Sequence, residues 1–442
     1  MEELVSKERT RNYLRQIKGA VVYRAVAMGA SFLAIPLMIG YLGQEQFGVW
    51  STLLTVMSWL VFFDLGVGNG LRNKVAESLA KNIKGEAGNY VASGYTLIGL
   101  IALGLWVVVT LASYIIPWQT VFNTRAISEA ELRFTAQIVS FFILLNFWVG
   151  LIGALLGAVQ KTSLVALGQL IANMLILGLL LVLTRTTDSA ISWLAMVYGV
   201  SLVSANILLS LWFYRRYPEL RPRPSLDRRH VSPLLALGLQ FFVIQLAVLV
   251  IFTTDKMLIT QLFGPQHVTP YEVVFKLFSV ITFIHALISA PLWSAYTEAY
   301  HRGDFVWIKF MLRKQLLIFG VIWLLGIALL LSSKAIIVLW IGQELEVSWS
   351  LLAAMGFFVL IVVWNNIYAV FVNGIGKIRV QLYTAVVAML VNIPLSVFFA
   401  KYLGLGLSGI VMGTICGLLL AAVALPVQVH RLIGARIKEQ IA

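Results

Sequence analysis

The ten residues YLGQEQFGVW, Tyr41 to Trp50, form a short polar interruption between two long apolar runs, 18–42 and 47–69. Each run is long enough to cross a bilayer, which takes roughly 20 apolar residues at about 1.5 Å rise each. The interruption is therefore the corner of a membrane hairpin, and the same corner recurs. LFGPQHVTPY, Leu262 to Tyr271, lies 221 residues further on, so that Gly43 meets Gly264, Phe47 meets Val268 and Trp50 meets Tyr271. A second echo follows in the same order. GAVQKTSL (157–164), with Asn173 beyond it, resembles GIGKIRVQ (374–381), with Asn392 beyond it. Two matches in the same order predict a chain built from two copies of one unit.

Composition sets the solvent. The 442 residues are 60% hydrophobic and 12% charged, with a mean hydropathy of +0.90. A soluble domain is about 45–50% apolar and about 25% charged. The sequence thus predicts an all-α polytopic membrane protein. Its expected spans are 18–42, 47–69, 91–116, 134–158, 163–184, 190–214, 232–263, 270–297, 311–332, 347–374, 379–400 and 406–430. The polar segment RRYPELRPRPSLDRRH, Arg215 to His230, separates six from six. Two six-helix lobes follow, 1–222 and 223–442. An even number of spans makes the repeats parallel, related by a pseudo-two-fold axis along the membrane normal, an architecture that places a substrate site between lobes.

The formal charge of +14 could indicate nucleic acid, but its distribution points elsewhere. Assigned to the two sides of the membrane, with Lys256 given to the side its span end approaches, the Lys and Arg residues divide 25 against 6, Arg24 and Lys276 being set aside as intramembrane out of the 33. Positive loops stay in the cytoplasm, so both termini are expected there and no nucleic acid is expected as a partner. The apolar run after the basic N-terminus ends in no cleavage-site pattern and reads as a retained first span. Cys416 is the lone cysteine, which excludes a disulfide framework. GVGNG, Gly66 to Gly70, ends a membrane helix and is not GxGxxG; no GxxxxGK[ST], HExxH or His/Cys cluster occurs. No cofactor, metal or catalytic constellation is expected, and the chain does not read as an enzyme.

Charges inside spans cost at least about 2.5 kcal/mol each on an insertion scale and so mark cavities or partners. Arg24 and Asp64 lie at similar depths from the basic side of spans one and two. They can be a structural ion pair, or a gate in which Arg24 takes a phosphate through its planar fork. Asp255 and Lys256 lie in span seven, with Glu272 and Lys276 at i,i+4 on span eight. Adjacent residues on a helix do not face each other, so Asp255 and Lys256 do not pair; a shallow wet rim and a cavity wall, with Glu272 as orienting partner, are the two readings. His285, deep in span eight ahead of Pro291 and Glu298, is either a proton carrier or a polar residue hydrogen-bonded to a neighbouring helix. Trp50, Trp59 and Tyr271 are candidates to stack on sugars.

Three stretches carry a family resemblance: YRAVAMGASFLAIPLMIGYLGQEQFGVWSTLLTVMSWLVFFDLGVGNGLRNKVAE (23–77), DKMLITQLFG with YEVVFKLFSVITFIHALISAPLW (255–264 and 271–293), and NGIGKIRVQLYTAVVAMLVNIPLS (373–396). They resemble the Wzx-type polysaccharide flippases of the multidrug/oligosaccharidyl-lipid/polysaccharide exporter superfamily. The resemblance implies two lobes working by alternating access in the bacterial inner membrane. Its implied cargo is an undecaprenyl-pyrophosphate-linked oligosaccharide, carried from the cytoplasmic to the periplasmic leaflet in surface-polysaccharide (O-antigen) assembly, with ion or proton antiport as the energy source. A cationic cavity is part of that picture, which gives Arg24, Lys256 and Lys276 to the pyrophosphate and Asp64, Asp255, Glu272 and His285 to gating or ion coupling. Expected partners are the lipid-linked oligosaccharide, membrane lipids and a polysaccharide polymerase complex, around a monomeric transporter. The lipid II flippases carry extra C-terminal spans and several arginines in the first lobe, so the chain is expected outside that branch. A cation-coupled multidrug or metabolite exporter of the same superfamily is the alternative.

Overall fold

A computed structural model describes residues 2–441 except 65, 82–84, 235–245, 247–248, 252, 290–291 and 302, with backbone alone at 2–18, 80, 294, 297–298, 301 and 436–441. The chain divides into two compact units, Met1–Gln245 and Leu246–Ala442. Among the described residues both are built from helices. This follows from the solvent, since in hydrocarbon a backbone amide has no partner outside its own helix.

In the first unit, the helical run Glu2–Ser58 is broken at Gly43, where φ is 74° and ψ 170°. That region of backbone space is open essentially to glycine alone. The break makes two helices, α1 (2–42) and α2 (44–58), and a 3₁₀ turn Trp59–Asp64 follows. Then come α3 (Val67–Ala80), α4 (Glu86–Ala112), α5 (Glu129–Val149), α6 (Ile152–Ala158), α7 (Thr162–Thr186) and α8 (Ile191–Arg216). The second unit holds α9 (Asp255–Phe263), α10 (Val268–Ser289), α11 (Leu292–His301), α12 (Phe305–Ile341), α13 (Trp349–Gly374), α14 (Arg379–Val397) and α15 (Gly406–Ile441).

The repeat read from two short matches extends to local geometry. Gly264 has φ 95° and ψ 156°, the same glycine-only region as Gly43. Ser128 caps α5 by accepting from the Glu131 N–H at 3.2 Å, and Ser348 caps α13 from Leu351 at the same distance. Gln160 and Gly376 are both left-handed, with φ 58° and 71°. After each, the same helix-closing bond forms, Lys161 N–H to Leu156 O at 2.8 Å and Lys377 N–H to Val372 O at 3.0 Å. Asn146 ties α5 to α8 through Asn206 at 2.8 Å, and Asn365 ties α13 to α15 through the Leu418 carbonyl at 3.1 Å. Each pair lies 216 to 221 residues apart.

Ten stretches among the described residues are long and apolar enough to cross a membrane. The first, Gly19–Asp64, contains the break at Gly43 and so holds the first two expected spans. Of the expected seventh span, 232–263, residues 235–245, 247–248 and 252 lie outside the described residues, as do Pro291 and the side chain of Glu298. The expected ninth, 311–332, is too short: α12 runs for 37 residues, about 55 Å at helical rise, well past a hydrocarbon core of about 30 Å. Large apolar side chains stand outward on these helices, Leu339 87% exposed and Leu331 72%. In water such surface would aggregate; in lipid it is ordinary surface.

Each unit also packs a conventional interior. Leu71, Val91, Leu155, Phe213 and Leu220 close the basic end of the first unit. Tyr296, Ile308, Phe371 and Val429 do so in the second. The polar segment after α8 is not a free tether. Its Leu220 is buried, the Ser225 N–H donates to Thr96 Oγ1 at 3.1 Å, and the His230 ring meets Tyr90 edge-on at 4.8 Å. Pro and Arg made it read as a linker, whereas the side chains of Leu220 and His230 and the backbone N–H of Ser225 dock it along α4.

Candidate functional site

The chemistry gathers in the second unit, at a helix break. Thr254 is bent, and α9 begins at Asp255 immediately after it. The Thr253 and Thr254 hydroxyls turn back onto the preceding helical turn and donate to the carbonyls of Leu249 (2.6 Å) and Val250 (2.7 Å). A carboxylate in the first turn of a helix meets the positive end of its dipole, which suits Asp255 to this place.

Asp255 is buried, 5% exposed, and its carboxylate is held from two other helices. Tyr271 Oη on α10 donates to Oδ2 at 2.9 Å, and Thr414 Oγ1 on α15 approaches both oxygens at 3.3 and 3.5 Å. Thr414 in turn accepts from Asn392 Nδ2 on α14 at 2.9 Å, and Asn392 Oδ1 lies 3.3 Å from the Thr254 hydroxyl. Four helices therefore meet on one chain of polar atoms. A single carboxylate among hydroxyl and amide oxygens suits a proton or a weakly held alkali ion, not a soft transition metal. Among the described residues no group of three or more His, Cys, Asp or Glu side chains is placed to hold a metal.

Lys256 pairs with Glu272 on α10, Nζ to Oε2 at 2.7 Å, with the two side chains 19% and 18% exposed. Lys276 is one turn further along α10 and lies in the fields of both Glu272 and Lys256. The cavity-wall expectation splits: Lys256, Glu272 and Lys276 form a half-buried ionic cluster, but Asp255 is locked inside the polar chain. Thr414 was missed, since a threonine in an apolar helix gives no sequence signal until the topology brings Asp255 beside it.

The other expected residues lie elsewhere. His285 is 2% exposed and faces Gln315 of α12, itself buried. Arg24 is exposed on α1, and among the described residues it forms no ion pair with Asp64. The Asp64 carboxylate instead accepts the Gly68 N–H at 3.0 Å and caps α3. Depth matching placed the two at one level, but span two ends in a 3₁₀ turn that commits Asp64 to the next helix. Trp50 and Tyr271 are 2% and 5% exposed, packed edge-on to Tyr198 and stacked on Phe275, so neither offers a face to a sugar.

The repeat supplies an internal comparison. At the 221-residue offset, Asp255, Lys256, Tyr271, Glu272 and Lys276 correspond to Ala34, Ile35, Trp50, Ser51 and Thr55. The first unit builds the same helices without any of these charges. The ionic cluster is thus not something the fold requires.

Residues 19–294 match the family described as polysaccharide biosynthesis protein. The chain belongs to that family. Residues 241–398 also match the MatE family. The two matches together bear out the resemblance, the first over residues 23–77 and 255–293 and the second over 255–293 and 373–396. Two relatives are a putative O-antigen transporter of Salmonella typhimurium, 23% identical over 89% of this chain and 90% of that protein, and a putative O-antigen export protein of Yersinia pseudotuberculosis, 23% identical over 80% and 82%. Among solved structures, the fold matches an inward-facing conformation of a multidrug resistance MATE family transporter of the MOP superfamily, with TM-score 0.80 at 16% identity over 95% of this chain and 99% of that one. The family member described here is therefore an all-helical, multi-pass membrane protein whose named relatives are transporters.

Proposed function

We propose that the chain is a flippase for a lipid-linked oligosaccharide in surface-polysaccharide assembly. It moves an undecaprenyl-pyrophosphate-linked glycan from the cytoplasmic to the periplasmic leaflet of the bacterial inner membrane, by alternating access and with an ion or proton gradient as the driving force. The observation that carries this reading is the cluster of Lys256, Lys276 and Glu272, present in the second unit and absent from the equivalent positions of the first. A pyrophosphate entering hydrocarbon faces a steep desolvation penalty unless protein charges replace its water. Half-buried lysines supply them, and Arg24 is a further cation for the headgroup. The names of the O-antigen relatives support the cargo class. The bias of Lys and Arg toward one set of loops supports cytoplasmic termini.

Ion coupling falls to Asp255, whose oxygens share one polar chain with Thr414, Asn392 and Thr254. Loading or unloading a cation or proton there changes how four helices are tied together, the kind of discrete local event that biases a two-state transporter. Asp64, Glu272 and His285 complete the gating and coupling set. The same buried carboxylate also favours a second reading, a cation-coupled multidrug or metabolite exporter, consistent with the fold match. The two part on one experiment. In cells depending on this chain for surface glycan, Lys256→Ala, Lys276→Ala and Arg24→Ala are each expected to stop glycan display at normal protein level. Full display in all three, together with loss of cation efflux in Asp255→Asn, would favour the exporter.

A further inference from the structure

The Lys256–Glu272 pair poses a difficulty for an anion site, because the lysine is already occupied. Its Nζ is 2.7 Å from a carboxylate, and both side chains are more than four-fifths removed from solvent. The pair is not an automatic i,i+4 contact, since its members come from α9 and α10. Glu272 also has Lys276 one turn away on its own helix. The fold does not need these charges, as Ile35, Ser51 and Thr55 occupy the matching positions of the first unit.

We infer that Glu272 is a selectivity element, a built-in anion that keeps Lys256 from singly charged phosphodiesters and yields it to a headgroup carrying two charges. This rests on the reading of Lys256 and Lys276 as headgroup cations. Bilayer lipids present single phosphodiesters in vast excess over any glycan carrier. When one of these approaches Lys256, it exchanges one anion for another and leaves Glu272 half-buried with a weakened partner, so nothing is gained. Removing one member of a desolvated pair is costly, and that cost falls on the intruder. A diphosphate diester carries twice the charge across two phosphorus centres and can engage Lys256 and Lys276 together. Charge-assisted bonds to both lysines then outweigh the ion pair that Glu272 gives up. Glu272 acts by competition at Lys256, which makes it specificity-determining for the headgroup.

The test uses the purified full chain in detergent and two short-chain probes, a polyprenyl diphosphoryl sugar and the same polyprenyl and sugar joined by a single phosphodiester. The wild-type chain is expected to prefer the diphosphate by about tenfold or more. In Glu272→Gln the single-phosphate probe is expected to gain about tenfold and the preference to shrink to about threefold or less. Lys276→Gln is expected to lose the preference from the other side, by weakening the diphosphate alone, and keeps the two-cation requirement testable if Glu272→Gln fails to fold. A wild-type preference that survives in Glu272→Gln, with Lys256→Ala still abolishing binding, overturns the role of Glu272 and leaves the cation site standing. Unchanged binding of both probes in Lys256→Ala overturns the site itself.

Discussion

Replacing Thr414 by valine keeps the size and branching of the side chain and deletes one hydroxyl, and that hydroxyl is the junction of the polar chain. It accepts from Asn392 at 2.9 Å and donates toward Asp255 at 3.3 and 3.5 Å. Interhelical hydrogen bonds between membrane helices average about 0.6 kcal/mol and reach about 1.7 kcal/mol. Two lost bonds, with the Asn392 amide left buried at 1% exposure, set the expected destabilisation at about 1–3 kcal/mol. The control is Ser396→Ala, which removes one bond between the same two helices, to the Ile410 carbonyl at 3.1 Å, and is expected to cost about 0.6 kcal/mol. The assay is reversible unfolding in mixed micelles, with Tyr271→Phe as the second arm of a double-mutant cycle. Thr414 and Tyr271 bind the same carboxylate, so their effects are expected to couple by about 0.5 kcal/mol or more. Two single variants within about 0.5 kcal/mol of wild type, with strictly additive effects, would refute the claim that Asp255 is held jointly.

Three further outcomes follow from particular residues. Gly43→Ala is expected to destabilise by about 1–3 kcal/mol from backbone strain alone, because no atom stands within 4 Å of the added methyl, whereas Gly29→Ala, equally open but helical, is expected to be neutral or stabilising; thermal unfolding of the pair separates backbone from space. Gly264→Ala is expected to cost at least as much as Gly43→Ala, since its methyl also meets the Gln266 amide. Glu77, bonded to Lys81 and Lys74, has its carboxyl pulled from 4.5 down to about 2. A depressed carboxyl adds stability above its unfolded value and loses it as pH falls through the folded one, so this tie at the end of α3 is expected to persist to about pH 4 and vanish toward pH 2. Carboxyl NMR of the labelled chain reads the midpoint, which is expected to return to the ordinary range in Lys81→Ala/Lys74→Ala.

What the sequence made legible is what hydropathy and glycine encode directly. The all-helical membrane class came from apolar run length, and the repeat came from Gly43 and Gly264, because a backbone that must take positive φ leaves a mark in the residue itself. The charged residues of α9 and α10 were visible because charge is rare in lipid. Their partners were not. Whether Glu272 turns to Lys276 on its own helix or to Lys256 on the next depends on how α9 leaves its break at Thr254. The polar chain depended on α14 and α15 arriving beside α9, a contact about 140 to 160 residues away in sequence. Asp64 was read by its depth beside Arg24, whereas its carboxylate binds the Gly68 N–H, since a carboxylate a few residues before a helix start can cap that helix where the chain turns. The Arg-rich segment after α8 read as a linker by composition, and its docking depends on Leu220, Ser225 and His230, whose spacing carries no periodic signal.

Transport of a diphosphate-linked glycan through a site that depends on Lys256 is tested most directly by leaflet translocation. The substrate is a radiolabelled polyprenyl-diphosphate oligosaccharide in proteoliposomes, with and without an imposed proton or sodium gradient. The wild-type chain is expected to move the lipid to the opposite leaflet and to do so faster with a gradient of one of the two ions, while Lys256→Ala is expected to fall to the rate of protein-free vesicles. Equal translocation by wild type and Lys256→Ala, or none by a folded wild-type chain under either gradient, would contradict it.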